Sequence, residues 1–388
     1  MPEREQRVTP LELFFDLVFV YAITQVTTLM SDDLTWRGVG HGLLVLAALW
    51  WAWTGFAWLT NALEPEEGLV RAGMFGGMAA MLVAALAVPR AFGADAVLFG
   101  VAYLFVRLIN LALYGIAGKR DREFRRTVVR FAPTASTGPL IILVASFAHG
   151  GAQTLLWILA IVTLYAGPLI DRGQGWSISP AHFAERYGLI VIIALGESIV
   201  AIGLAAAGAA LTLEFIMAGV LGLAVIAALW WAYFDVIALL AQRQLTELSG
   251  VARARLARDG YSYLHLPMIA GIVLFALGLK ITAHDAMDTL APIPAAALCG
   301  GPSLYYLSHV AARVRLVYVL RRTTTQRVGW IGPGRLAAAI GTLALIPAAL
   351  AVPSLGAVAL VAALCWALIL WDVLHYRSER VEIRRDRP

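Results

Sequence analysis

The sequence predicts an all-α, polytopic integral membrane protein with about twelve transmembrane helices arranged as two parallel six-helix repeats. Three observations predict it. Of the 388 residues, 60% are hydrophobic and 14% charged, against about 25% charged in a soluble domain. The apolar residues gather into continuous runs such as "LIVIIALGESIVAIGLAAAG" and "VALVAALCWALILW", several of them near the ~20 residues that cross a bilayer core. A membrane β-barrel would show short alternating strands instead. Finally, the basic residues collect on one side of the runs.

The spans follow in order. The first, 10–30, opens at Thr9-Pro10, and proline suits a helix's first position. Glu12 and Asp16 lie one turn apart in it, on a face shared with Phe19, Val20 and Ile23. Span 39–62 holds Trp50-Trp51, a packing or interface anchor. After 71–89 comes 95–117, with Arg107 at mid-span and Asn110 on the same face. Spans 131–148 and 152–171 are joined tightly around "HGG", an outside loop. Span 185–208 begins at Glu185 and carries Glu197 midway, beside Gly196, where a neighbouring backbone is expected to approach. Span 212–241 holds Trp230-Trp231 and, near its cytoplasmic end, Asp235. Span 261–283 has His265 before Pro267, and 291–320 carries His309 and Arg313. "GPGR" is expected as a turn leading into 332–352, and 354–375 is last.

With the amino terminus in the cytoplasm, four of the 30 basic residues depart from the cytoplasmic side: Arg37 and Arg90 fall outside, and Arg107 and Lys280 within spans. The outside loops carry acids such as Asp32, Asp33, Asp285 and Asp288. That asymmetry places both termini in the cytoplasm of a bacterial inner membrane. It explains the net charge of +5 and pI near 9.4 without nucleic acid. The dense basic segments are 118–130, 241–259 and 313–330, which face lipid headgroups. Cys299 and Cys365 sit inside apolar runs, so no disulfide framework or metal site is read from them. The first residues lack a signal peptide's pattern.

The chain also echoes itself. "LLVLAALWWAWTGFAWL" resembles "GLAVIAALWWAYFDVIALL", aligning Trp50-Trp51 with Trp230-Trp231. "YLFVRLINLALYGIAGKR" resembles "YYLSHVAARVRLVYVLRR", aligning Tyr103 with Tyr305, Arg107 with His309, and Lys119-Arg120 with Arg321-Arg322. Glu12 then stands opposite Glu185. Six spans per half insert both halves the same way up, with halves 1–176 and 177–388.

Ionisable groups inside spans cost ~2.5–3.5 kcal/mol each on insertion scales and by default mark function. Asp16, Glu197, Arg107, Asn110 and His309 are the ion- or substrate-path candidates. Glu12, Glu185, Asp235 and Arg313 are the structural charges. Glu12 complements the first turn's dipole. Asp16, deeper, is either half of a buried ion pair or part of an ion path, held by a cation from another helix at the seam between halves. Glu197 and Arg107 match in depth, as a salt bridge or a substrate or proton site. His309 is a packing residue or a proton relay. No metal motif, phosphate loop or nucleophile elbow is present, and no cofactor is expected.

At "ELFFDLVFVYAI", "ERYGLIVIIALGESIVAIG" and "YLHLPMIAGIVLFALG" the chain resembles the bacterial low temperature requirement protein A (LtrA) family. The resemblance runs over nearly the whole chain and implies an integral membrane protein without an established activity. "FFDLVFVYAIT" is also similar to the opening helix of the F-S-D-motif potassium channels, keeping Phe14, Asp16, Phe19, Ala22, Ile23 and Thr24 but carrying Phe15 where they have serine. The second half lacks this motif. The reading is a secondary transporter or permease whose partners are the bilayer and an unidentified small solute or ion. The alternatives are a cation channel and a membrane-embedded lipid-binding protein or enzyme.

Overall fold

The computed structural model describes residues 7–63, 68–119, 122–171, 176–207, 211–284, 286–320, 331–377 and 380–381. Arg120, Asp285, Arg321, Arg322 and the basic stretch 321–330 lie outside the described residues. The helices are α1 Pro10–Asp32, α2 Trp36–Ala62, α3 Gly68–Ala87, α4 Ala96–Ala117, α5 Arg122–Ala145, α6 Gly150–Asp171, α7 Pro180–Ala206 and α8 Leu213–Ala232. They continue as α9 Ala238–Glu247, α10 Gly250–Leu256, α11 His265–His284, α12 Pro292–Leu320, α13 Ile331–Ala344, α14 Ile346–Ala349 and α15 Ser354–His375. No strand occurs among the described residues.

Each of the twelve expected spans is occupied by helix, and eleven of the helical stretches are long and apolar enough to cross a membrane. The exception is α12. Its middle carries Gly300, Gly301, Pro302, Ser303, Tyr305, Tyr306, Ser308 and His309, which dilute its hydropathy. Most of these are buried against protein rather than lipid, where small and polar residues are tolerated.

Helix starts differ from the sequence expectation where the cytoplasmic segments are themselves helical. The basic segment 241–259 was expected as a loop, but α9 and α10 run through most of it, because its Ala, Leu, Arg, Gln and Glu residues are good helix formers. The break between them falls at Gly250, whose φ of 53° suits glycine. Two π-helical turns, Tyr233–Ile237 and Ala257–Tyr263, join α8 to α9 and α10 towards α11. Likewise α5 begins at Arg122 rather than 131, and α7 at Pro180, a proline in the first turn, rather than 185. "GPGR" is the first turn of α13 rather than a separate turn.

The chain forms two compact units: Met1–Tyr187 with Leu245–Arg258, and Gly188–Gln244 with Asp259–Pro388. In the first, α1 packs on α2 and α3, α3 on α4, α4 on α5, α5 on α6, and α2 on both α4 and α6. Phe15 meets Phe56 at 4.6 Å between ring centroids, and Phe19 meets Trp53 at 6.1 Å. The α10 segment belongs here through Arg253, whose Nη1 donates to Ile178 O at 3.0 Å, and Arg258, whose Nη1 donates to Pro168 O at 2.9 Å.

In the second unit α11 packs on α12, α12 on α13, α8 on α15 and α11, and α13 on α15. The α11–α12 contact is backbone to backbone. A Cβ added at Gly271 would lie 2.5 Å from Gly301 O, and one at Gly278 would lie 2.6 Å from Leu298 N.

Candidate functional site

Helix α1 is inverted relative to a soluble helix. Its exposed side chains include Leu13, Phe14 and Leu17, while Glu12 and Asp16 are fully buried with Phe15 and Phe19. The hydrocarbon is the outer solvent here, so carboxylates face inward. Thr9 caps the helix as expected. Its backbone N–H donates to Glu12 Oε2 at 2.9 Å, and Glu12 N–H donates back to Thr9 Oγ1 at 3.4 Å, a reciprocal capping box.

Glu12 also does what a surface cap does not. His182 Nε2 lies 3.0 and 3.2 Å from its two oxygens, and Arg186 Nη1 lies 3.8 Å from Oε1. One turn deeper, Asp16 Oδ1 accepts from Trp53 Nε1 at 2.9 Å and from Arg186 Nη2 at 3.0 Å. Glu12 and Asp16 are spaced four apart on α1, and His182 and Arg186 four apart on α7. Each pair therefore stacks along one helix face, and the two faces meet rung to rung. All four belong to the first unit, and the side chains of all four are at most 1% exposed.

Aromatic rings wall the cluster. The Arg186 guanidinium carbon sits 5.7 Å from the Trp53 ring centroid, within cation–π range. Trp50 stacks on Trp53 at 5.1 Å, and Tyr187 meets Trp53 edge-on at 5.0 Å. Asp16 Oδ2, His182 Nδ1, and Arg186 Nε and Nη1 have no hydrogen-bond partner among the described residues. The cluster is thus held tightly on one side and has hydrogen-bonding capacity to spare on the other. Two carboxylates face one arginine and one histidine. The set is neutral when His182 is protonated and carries one negative charge when it is not.

His182 and Arg186 were not singled out from sequence. Span 185–208 excluded His182 and made Arg186 look like an interfacial basic residue. The available signal was the spacing: a His and an Arg four apart, matching a Glu and an Asp four apart in another apolar helix. Glu185, between them in sequence, is exposed and accepts from Val8 N at 3.4 Å.

The other candidates are distributed. Arg107 and Asn110 are buried on α4, joined by a 3.4 Å bond from Arg107 Nη1 to Asn110 Oδ1. Around them, Tyr103 Oη donates to Ala48 O and Tyr114 Oη to Gly55 O, each at 2.8 Å. Glu197 is buried on α7 in the second unit. Beside it Gly196 has nothing among the described residues within 4 Å of where a Cβ would stand, so the close backbone approach expected there is not made by them.

His309 is buried in the second unit, 4.6 Å from the Tyr305 ring and 6.2 Å from Tyr233. Its ring nitrogens have no hydrogen-bond partner among the described residues. Nearby His265 is fully engaged, by Gly260 O through Nδ1 and by Tyr233 Oη through Nε2, both at 2.9 Å. Asp235 pairs with Arg380 at 2.5 Å. Arg313 lies against Gly332. Sequence reading also missed a buried pair here, Arg335 with Asp372 at 2.6 Å. Among the described residues no group of His, Cys, Asp and Glu could hold a metal ion.

The fold and the buried charges define a multi-pass helical membrane protein, in contact with the bilayer, with an ionic cluster inside its first unit. A family model, "Bacterial low temperature requirement A protein (LtrA)", matches residues 7–370, and the chain belongs to that family. A relative, "Uncharacterized protein RA0937" of Rhizobium meliloti (strain 1021), is 30% identical over 327 residues, covering 78% of this chain and 77% of its own.

Proposed function

We propose that this LtrA-family protein is a proton-coupled secondary permease for a small solute or ion. The observation that carries the reading is the Glu12–His182 and Asp16–Arg186 cluster. Charges in a membrane interior are retained for work, and this set changes between neutral and singly negative with one proton. Breaking or filling the set by protonation gives a carrier the two states it needs. No nucleotide-binding motif is available to drive transport otherwise.

A six-plus-six repeat supports the same reading, because carriers commonly use one. In the first unit Tyr103 Oη bonds Ala48 O, Tyr165 Oη bonds Ala47 O at 3.0 Å, and Tyr165 meets Trp51 at 4.3 Å. In the second, Tyr305 Oη bonds Leu229 O at 2.8 Å, Trp366 Nε1 bonds Ala224 O at 3.0 Å, and Trp366 meets Trp231 at 6.1 Å. The tyrosine bonds all end on carbonyls of an Ala-Ala-Leu-Trp-Trp run, 47–51 in the first unit and 227–231 in the second, while the Trp366 bond ends three residues before the second run.

The test is flux through purified protein in vesicles containing a pH indicator, with imposed gradients of alkali cations, halides and small carboxylates. At least one should move with a change of internal pH. Asp16→Asn should fold normally and lose that flux. Wild-type flux through a well-folded Asp16→Asn protein would remove Asp16 from the path.

A further inference from the structure

Arg107 lies at the middle of α4, 1% exposed, and Asn110 is 0% exposed. An arginine at that depth needs a counter-charge. Its Nη1 is taken up by Asn110 Oδ1. Its Nε and Nη2, and the Nδ2 of Asn110, have no hydrogen-bond partner among the described residues. Nε and Nη2 form one edge of the guanidinium, the edge whose two parallel N–H bonds grip a carboxylate in bidentate fashion. The neighbouring tyrosines offer no charge, and their hydroxyl protons are committed to α2 carbonyls.

Helix α2 makes room for the pair. A Cβ at Gly55 would stand 2.5 Å from Arg107 Nη1 and 3.0 Å from Asn110 Oδ1. The site is therefore a cluster of donors carrying one positive charge, reached closely by backbone and closed to bulk solvent. Water would satisfy the donors but leave the charge uncompensated. A planar anion satisfies both.

We infer that Arg107 and Asn110 form a binding site for a small monocarboxylate, held by Arg107 Nε and Nη2, with Asn110 Nδ2 as a third donor. The inference rests on the permease reading for its consequence: the carboxylate is the transported solute, and the proton taken up at the Glu12–His182–Asp16–Arg186 cluster balances its charge. Binding itself is measurable apart from transport.

The experiment is thermal unfolding of the purified protein in lipid nanodiscs, titrated with sodium formate or sodium acetate at constant ionic strength made up with bulky sodium gluconate. The wild type should show a saturable rise in melting temperature. Arg107→Lys keeps the charge and loses the fork, so its apparent affinity should fall on the order of 10-fold, the worth of one charge-assisted hydrogen bond. Asn110→Asp supplies a carboxylate from within. It should melt higher than wild type without added anion and no longer respond to formate.

No saturable response in the wild type overturns the site, and so does an undiminished response in Asn110→Asp. A response that emerges only in Glu197→Gln also overturns it, because the chain's own Glu197 would then be the counter-ion. Saturable binding without carboxylate flux would leave the site standing and sink the permease reading. Flux without binding at Arg107 would do the reverse.

Discussion

Arg186 is the residue on which the buried cluster turns, because it contacts both carboxylates of α1. Removing it takes the arginine charge from both carboxylates and leaves them the neutral donors Trp53 and Thr9 together with His182. Arg186→Met should therefore destabilise the protein by ~3–5 kcal/mol, the usual loss when one partner of a buried pair is removed. Adding Asp16→Asn to that background should recover part of the loss, read by thermal unfolding in detergent. A double variant no more stable than the sum of the singles would show that the two do not interact. Of this site, α1 was legible in sequence, since two carboxylates amid Phe14, Phe15, Leu17 and Phe19 have no packing reason to be there. The α7 half was not. Hydropathy starts the span at 185, which leaves His182 outside it and puts Arg186 at its edge, although Pro180 already starts the helix. The depth of a charge in a membrane protein depends on where its helix begins, which apolar run length does not report.

Helix contacts within the second unit differ in closeness, and glycine substitutions separate them. At Gly301 an added Cβ would stand 2.5 Å from Gly271 O and 2.6 Å from Phe275 N. Backbone cannot yield there, so Gly301→Ala should force α11 and α12 apart and cost ~1–3 kcal/mol, the range for overpacking a core. Gly196→Ala is the contrast, with nothing among the described residues within 4 Å of the added methyl. It should leave stability unchanged or raise it by up to ~1 kcal/mol through helix propensity. The same melting measurement reads both, and equal losses would contradict the packing described. Eleven of the twelve spans were legible because run length and composition report membrane crossing directly, and the twelfth, α12, is helical but less apolar. Helix extensions beyond them were not, because Arg, Gln, Glu and Ala in α9, α10 and the start of α5 read equally as basic loop. The partners of α12 were not legible either, since backbone contact through Gly271 and Gly301 leaves no hydrophobic pattern.

For the whole molecule, the basic residues set the orientation we propose, with both termini in the cytoplasm. A cysteine at Glu123 or Arg255 should react with an impermeant thiol reagent only from the cytoplasmic side, and one at Arg90 only from outside. The native Cys299 and Cys365 are buried and should stay silent. Labelling of position 255 in intact cells would reverse the topology. In the proposed transport cycle, the cluster between α1 and the start of α7 carries the coupled proton. The most direct measurement is proton coupling in vesicles of the His182→Gln protein, compared with wild type for the same transported solute. Glutamine keeps an N–H donor for Glu12 but cannot take up a proton. Solute should still move down its gradient while the internal pH change is lost. An internal pH change per solute equal to that of the wild type, in a well-folded His182→Gln protein, would contradict it.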